Sequence, residues 1–154
     1  LAGGFLMRQY QVYASIVALL VVCGEAKAGD KEDVIAAVNS WYTLLAAGDI
    51  EALDITPHTR FSRNGGMLSI VNPAQVKAWL TNSGVKLNIQ GHHGDAEIYG
   101  DAAVYTGYET VNITPPNGDG RQESNRLTVV FAKDKGDWKA VHVHVSSLTP
   151  VNPE

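Results

Sequence analysis

Between Asp30 and Gly48 the apolar residues recur at helical spacing. Val34, Val38, Trp41 and Leu45 form one stripe, which Ile35 and Tyr42 widen, the pattern of a helix with one face toward a core. Asp30 is placed to cap the free N–H groups of the first turn, and Glu32 and Asp33 suit the positive end of the helix dipole. Gly48 supplies a left-handed stop. Asp49 to Leu53 predicts a second, short helix. His58 to Ile70 predicts two short strands around the turn residues Asn64-Gly65-Gly66. A third helix has the clearest start. Asn72 is its N-cap, Pro73 fits its first position, and Gln75 is spaced to complete a capping box. Val76, Trp79 and Leu80 give it an apolar face, and Asn82-Ser83-Gly84 ends it.

From Val85 the period changes from helical to alternating. Four runs are separated by Gly100-Asp101, by Pro115 to Gly120 and by Lys135-Gly136-Asp137, which predicts an antiparallel meander. Helices first and a sheet afterwards is an α+β arrangement, with the helices packed on one sheet face.

The first 28 residues carry a different signal. Met7-Arg8 opens a short basic region, Val12 to Cys23 form an apolar stretch, and Ala26-Lys27-Ala28 supplies a small-x-small site. That stretch falls short of the roughly 20 apolar residues that cross a bilayer, so it predicts a signal peptide cleaved after Ala28. Residues 1–28 are then upstream residues and signal peptide, and 29–154 a single domain that is secreted or periplasmic and has no further membrane contact. Cleavage takes Lys+Arg from 12 to 10 and Asp+Glu from 16 to 15, which leaves a net charge of −5. It also removes Cys23, the only cysteine, and with it any disulfide or thiolate chemistry. A cysteine-free exported domain relies on its core for stability, which suits a periplasm. An acidic balance without a Lys/Arg run argues against a nucleic-acid partner. There is no Gly-x-Ser-x-Gly elbow, phosphate loop or dinucleotide fingerprint. The Asn112-Ile-Thr114 sequon matters only in a glycosylating secretory pathway.

Arg126-Leu-Thr-Val-Val-Phe, followed by Gly136-Asp-Trp138 and His142-Val-His144-Val-Ser146, resembles the closing strands of the nuclear transport factor 2-like (SnoaL-like) superfamily. It is similar in particular to the association domain of calcium/calmodulin-dependent protein kinase II. Ile98-Tyr-Gly100-Asp101-Ala-Ala-Val-Tyr and Leu44-Leu-Ala-Ala-Gly48-Asp49 resemble the family at matching places in the order. The resemblance implies a cystatin-like roll: a cone-shaped, curved antiparallel sheet wrapped around about three helices, with a pocket at its wide end and a homodimeric habit. In the association domains, arginines point into that pocket. The corresponding positions here hold Glu109, Val129 and Val145, which argues against the same anion-binding chemistry.

Alternation splits each predicted strand into two faces. Val141, Val143 and Val145 fall on one face of the last run, and Trp138, His142, His144 and Ser146 on the other. Tyr105 and Glu109 share a face of the run after Asp101, and Leu127, Val129 and Phe131 share one of the next. The resemblance turns the valine, Tyr105/Glu109 and Leu127/Val129/Phe131 faces toward the pocket, with Trp41 and Tyr42 closing it. The expected ligand is a small apolar molecule bound by Trp41, Tyr42, Val129, Phe131, Val143 and Val145. Glu109 and Tyr105 are the candidate catalytic pair. A carboxylate in apolar surroundings is harder to ionise, which suits it to general acid or base work, and a neighbouring phenol can donate to a developing oxyanion. Ketosteroid isomerase, which shares the superfamily's fold, works by this logic. The expected activity is that of a cofactor-free lyase, isomerase or hydrolase. The alternatives are a Glu109 that solvates the rim and a protein that is a homodimeric or protein-interaction module without catalysis.

Two histidines two apart on a strand can chelate zinc, with His58, His92 or His93 as a third ligand. The resemblance instead places His142 and His144 on the convex face, with Trp138 and Ser146 in a subunit contact, so neither metal nor cofactor is expected. Arg126 is read as a structural residue pairing with Asp95 or Glu97, and Phe61 and Trp79 as core.

Overall fold

The computed structural model describes residues 29–148, so the predicted signal peptide lies outside the described residues. Helix α1 spans Asp30–Ala47. Strands β1 (His58–Phe61) and β2 (Ser69–Val71) precede helix α2 (Pro73–Ser83), and four long strands follow: β3 (Lys86–Tyr99), β4 (Ala102–Thr114), β5 (Arg121–Asp134) and β6 (Asp137–Ser147). They form one six-stranded sheet in the order β2-β1-β6-β5-β4-β3. Every pairing is antiparallel except β1 on β6. This is an α+β fold with a curved sheet and α1 lying against its inner face. Val34, Val38 and Tyr42 of that helix are buried with Tyr105, Val129 and Phe131 of the sheet in one core.

Two helices form among the described residues, not about three. Asp49 to Leu53 makes a single turn, with Asp49 Oδ1 accepting from Ala52 N at 3.2 Å and Leu53 N donating to Ile50 O at 3.3 Å. Five residues are too few to offset the cost of nucleating a helix, and the side-chain bond of Asp49 favours the turn. Gly48 does stop α1 in a left-handed conformation, at φ 71°. Asp30 is not the N-cap. Gly29 takes that position, and Asp30, the first helical residue, is buried in an ion pair with Lys133 at 2.5 Å that ties the helix start to the end of β5. Asn72 caps α2 as its spacing predicts, accepting from Ala74 N at 3.0 Å and Gln75 N at 3.3 Å.

Two irregularities bend the sheet and decide which side chains face inward. In β3 the register slips between His92 and Asp95, where His93 (φ 52°) and Gly94 oppose the single residue Gly107. In β6 the register slips at Val141, which stands unpaired between Ala140 opposite Phe131 and His142 opposite Val130. An extra residue inverts the alternation beyond it. Val143 and Val145 therefore point inward with Ala140, while Val141 points out. The same inversion moves Trp138 off the outer face. It packs against the core, with Lys133 Nζ 4.9 Å from its ring centroid.

Other outer-face readings also change. Trp79 is 56% exposed and Phe61 41% exposed, so neither is core. Phe61 meets His142 and His144 edge-on at 5.6 and 5.7 Å. Arg126 cannot reach Asp95 or Glu97, because β4 separates β5 from β3. It donates to Ser147 O at 3.0 Å, and Asp95 pairs with Lys31.

Candidate functional site

A cavity of about 200 Å³ lies between α1 and the inner sheet face. Trp41, Tyr42 and Leu45 of α1 form one wall, and Leu127, Val129, Val143 and Val145 the opposite one. Val76 and Leu80 of α2 close a third side, with Leu53 and Ile55 of the loop after α1. Alternation on β4, β5 and β6 puts Glu109, Leu127, Val129, Val143 and Val145 there, as a strand with one buried face must. Five of the six expected ligand contacts line it, namely Trp41, Tyr42, Val129, Val143 and Val145, together with further apolar neighbours and the polar side chains Glu109, His58 and Arg60. The sixth, Phe131, does not. It stacks behind Trp41, ring centroids 6.0 Å apart.

Glu109 sits in the middle of β4 between Gly91 of β3 and Asn125 of β5. It is 8% exposed, so it is not a rim carboxylate. Each oxygen has a donor: Tyr42 Oη to Oε2 at 3.3 Å and Asn125 Nδ2 to Oε1 at 3.0 Å. Two such bonds from fixed side chains offset much of the cost of taking a carboxylate out of water. Gly91 makes this geometry possible, because a Cβ there would stand 2.9 Å from Cε2 of Tyr42.

Tyr105 lies one step further along the same face and does not line the cavity. Its hydroxyl faces that of Tyr42 and is tucked under the β3 bulge. A Cβ on Gly94 would stand on that hydroxyl, and one on Gly107 would lie 3.2 Å from it. Tyr42 gives its one proton to Glu109, so its oxygen is left as an acceptor open to the Tyr105 hydroxyl. Burial pushes both phenols above their usual range, and the negative charge of Glu109 adds to it. Both therefore stay protonated at neutral pH. The order is Tyr105, Tyr42, Glu109, with Tyr42 in direct contact with the carboxylate and Tyr105 behind it.

Sequence reasoning missed Asn125 and Arg60, and considered His58 only as a third metal ligand. Asn125 shares the inward parity of Leu127 and Val129 and was legible by alternation. His58 and Arg60 face the cavity only because β1 adds to β6 in parallel, a pairing between distant segments with no local mark. Among the described residues no group of three His, Cys, Asp or Glu is arranged to hold a metal ion. His142 Nδ1 is instead 2.8 Å from Thr59 Oγ1.

Residues 34–150 match the SnoaL-like domain family. The chain belongs to that family. Solved structures agree in fold. The calcium/calmodulin-dependent protein kinase II hub of S. rosetta is 26% identical with a TM-score of 0.64, over 79% of this chain and 99% of that one. A nuclear transport factor 2-like superfamily protein from Salmonella enterica is 18% identical, TM-score 0.67, over 82% and 96%. A protein with a cystatin-like fold from Caulobacter vibrioides is 16% identical, TM-score 0.62, over 77% and 89%. No curated protein matches the chain.

Proposed function

We propose that this SnoaL-like domain binds a small molecule with an apolar body in the cavity beneath α1, and that Glu109 meets the polar part of that molecule. One observation carries the reading. A carboxylate held by Tyr42 and Asn125 lines a cavity whose other walls, apart from His58 and Arg60, are valine, leucine, isoleucine and aromatic side chains. A buried carboxylate adds less stability than an apolar residue of the same volume, so its place is explained by what it contacts in the cavity. In the catalytic form of this reading Glu109 takes or gives a proton on the bound molecule, and Tyr42, the phenol that touches it, replaces Tyr105 as its partner. Export belongs to the same proposal, supported by the charge, apolar run and small-x-small site before Gly29.

Native mass spectrometry of the purified chain tests it. A non-covalent mass that wild type retains and Glu109→Gln loses is expected. A clean protein mass that stays clean on exposure to small aromatic and aliphatic compounds would overturn it.

A second reading, assembly with further copies of itself, is supported by two observations. Among the solved neighbours are chains described as a hub and as an association domain. The outer sheet face also exposes Phe61 and Val141 beside His142 and His144. Sedimentation of wild type against Val141→Lys separates monomer from assembly.

A further inference from the structure

The cavity has a second polar pole outside the Glu109 network. His58 lines it from β1. Thr59, its neighbour, turns to the outer face and meets His142 there, so alternation turns His58 inward. His58 Nδ1 lies 2.8 Å from the Thr56 carbonyl oxygen. A carbonyl only accepts, so Nδ1 carries the hydrogen of the neutral ring and Nε2 is a bare lone pair. Among the described residues Nε2 has no hydrogen-bond partner. It is also absent from the solvent-shielded atoms that lack one, so that lone pair is accessible. Burial holds the imidazole below its usual range against the opposite pull of the Thr56 carbonyl, and the Arg60 guanidinium acts in the same direction as burial, which keeps the ring neutral at neutral pH.

The polar chemistry inside is thus one-sided. Glu109 and His58 accept, the hydroxyl of Tyr42 is committed to Glu109, and the remaining donor that lines the cavity is the guanidinium of Arg60, an exposed residue. An apolar space with two acceptors set in its walls suits a molecule that brings its own donor. We infer that the cavity takes a small uncharged molecule with an apolar body and a hydroxyl or N–H group, and that His58 Nε2 is the acceptor that receives that group. This rests on the pocket reading above and gives its ligand a chemical class.

The test is a calorimetric titration of the full chain with toluene, phenol and benzoate, which share one ring and differ in the polar group. Each is run on wild type, His58→Phe, His58→Leu and Glu109→Gln. The readout is the ratio of phenol to toluene affinity, so hydration differences between the two cancel among variants. A net hydrogen bond of about 0.5–1.5 kcal/mol corresponds to a change of roughly two- to tenfold in that ratio. The ratio is expected to fall by that factor in His58→Phe and His58→Leu, with toluene still bound. Benzoate is expected to bind more weakly than phenol throughout. An unchanged ratio in both His58 variants, a fall confined to Glu109→Gln, or tighter binding of benzoate overturns the inference and leaves the pocket standing. Failure of wild type to bind either neutral ring overturns both.

Discussion

Tyr42 stands in the middle of the buried chain of hydroxyls and Tyr105 at its end, and that order fixes unequal costs for removing either oxygen. Tyr42→Phe keeps the ring that packs over Gly91. It deletes a bond to a carboxylate, worth about 1.5–3 kcal/mol, and strands the buried hydroxyl of Tyr105, worth a further 1–3 kcal/mol or so. At 3.3 Å the bond to Glu109 is longer than the usual O–H···O distance, so the lower ends apply. The expected loss is about 2–4 kcal/mol. Tyr105→Phe removes only a terminal donor and leaves the bond from Tyr42 to Glu109 intact, so about 1 kcal/mol is expected. With both hydroxyls gone nothing of Tyr105 is stranded, and the double variant costs less than the two singles together. Urea denaturation with the slope held common gives all three values, and the cycle isolates the coupling. Equal losses for the two single variants, or additivity within about 0.5 kcal/mol, would refute the order Tyr105, Tyr42, Glu109.

Gly94→Ala places a methyl on the Tyr105 hydroxyl and 2.8 Å from its Cζ. Overpacking of this kind costs about 1–3 kcal/mol, and Tyr105→Phe in the same chain is expected to recover part of it in a thermal melt. Both phenols have folded values raised above 10, so above that pH the unfolded chain loses its protons first and stability falls as pH rises. Ultraviolet titration should show two tyrosines that ionise only as the fold is lost, and one in Tyr42→Phe. His58 is held below 6.5, so the unfolded chain binds its proton first and stability falls as pH drops below 6.5. His58→Phe should remove that part of the acid slope in urea melts taken across the range. Asn72→Ala deletes the acceptor of two α2 amides and is expected to cost about 1 kcal/mol by the same melts.

The parts of the fold legible in the sequence are those set by local chemistry. The α1 stripe, its Gly48 stop, the Asn72 cap and the turns at Gly100 and Gly136 each follow from a few adjacent residues. Alternation grouped Glu109 with Tyr105, Val129 with Leu127 and Phe131, and Val143 with Val145, and the family resemblance turned those faces inward. Alternation failed at Trp138, because one extra residue at Val141 inverts everything before it, and no residue type announces that bulge. A run of valines and histidines reads as a regular strand. The β1–β6 pairing was equally hidden, and with it His58 and Arg60. Tyr105 illustrates a different limit. Its face is correct, but whether a side chain on that face reaches the cavity or ends behind another ring depends on the Gly94/Gly107 niche, which only the bent sheet shows. Asp30 shows how a tertiary contact, here with Lys133, overrides a local capping preference.

The central claim is that the space beneath α1 is a binding site. The most direct measurement is a crystal structure of the protein exposed to bromobenzene, whose bromine marks its own position. The account predicts bromine among Leu127, Val129 and Val143, with the ring within van der Waals reach of Glu109 and Trp41. Bromine found only on outer surfaces, with the cavity walls unmoved, would contradict it.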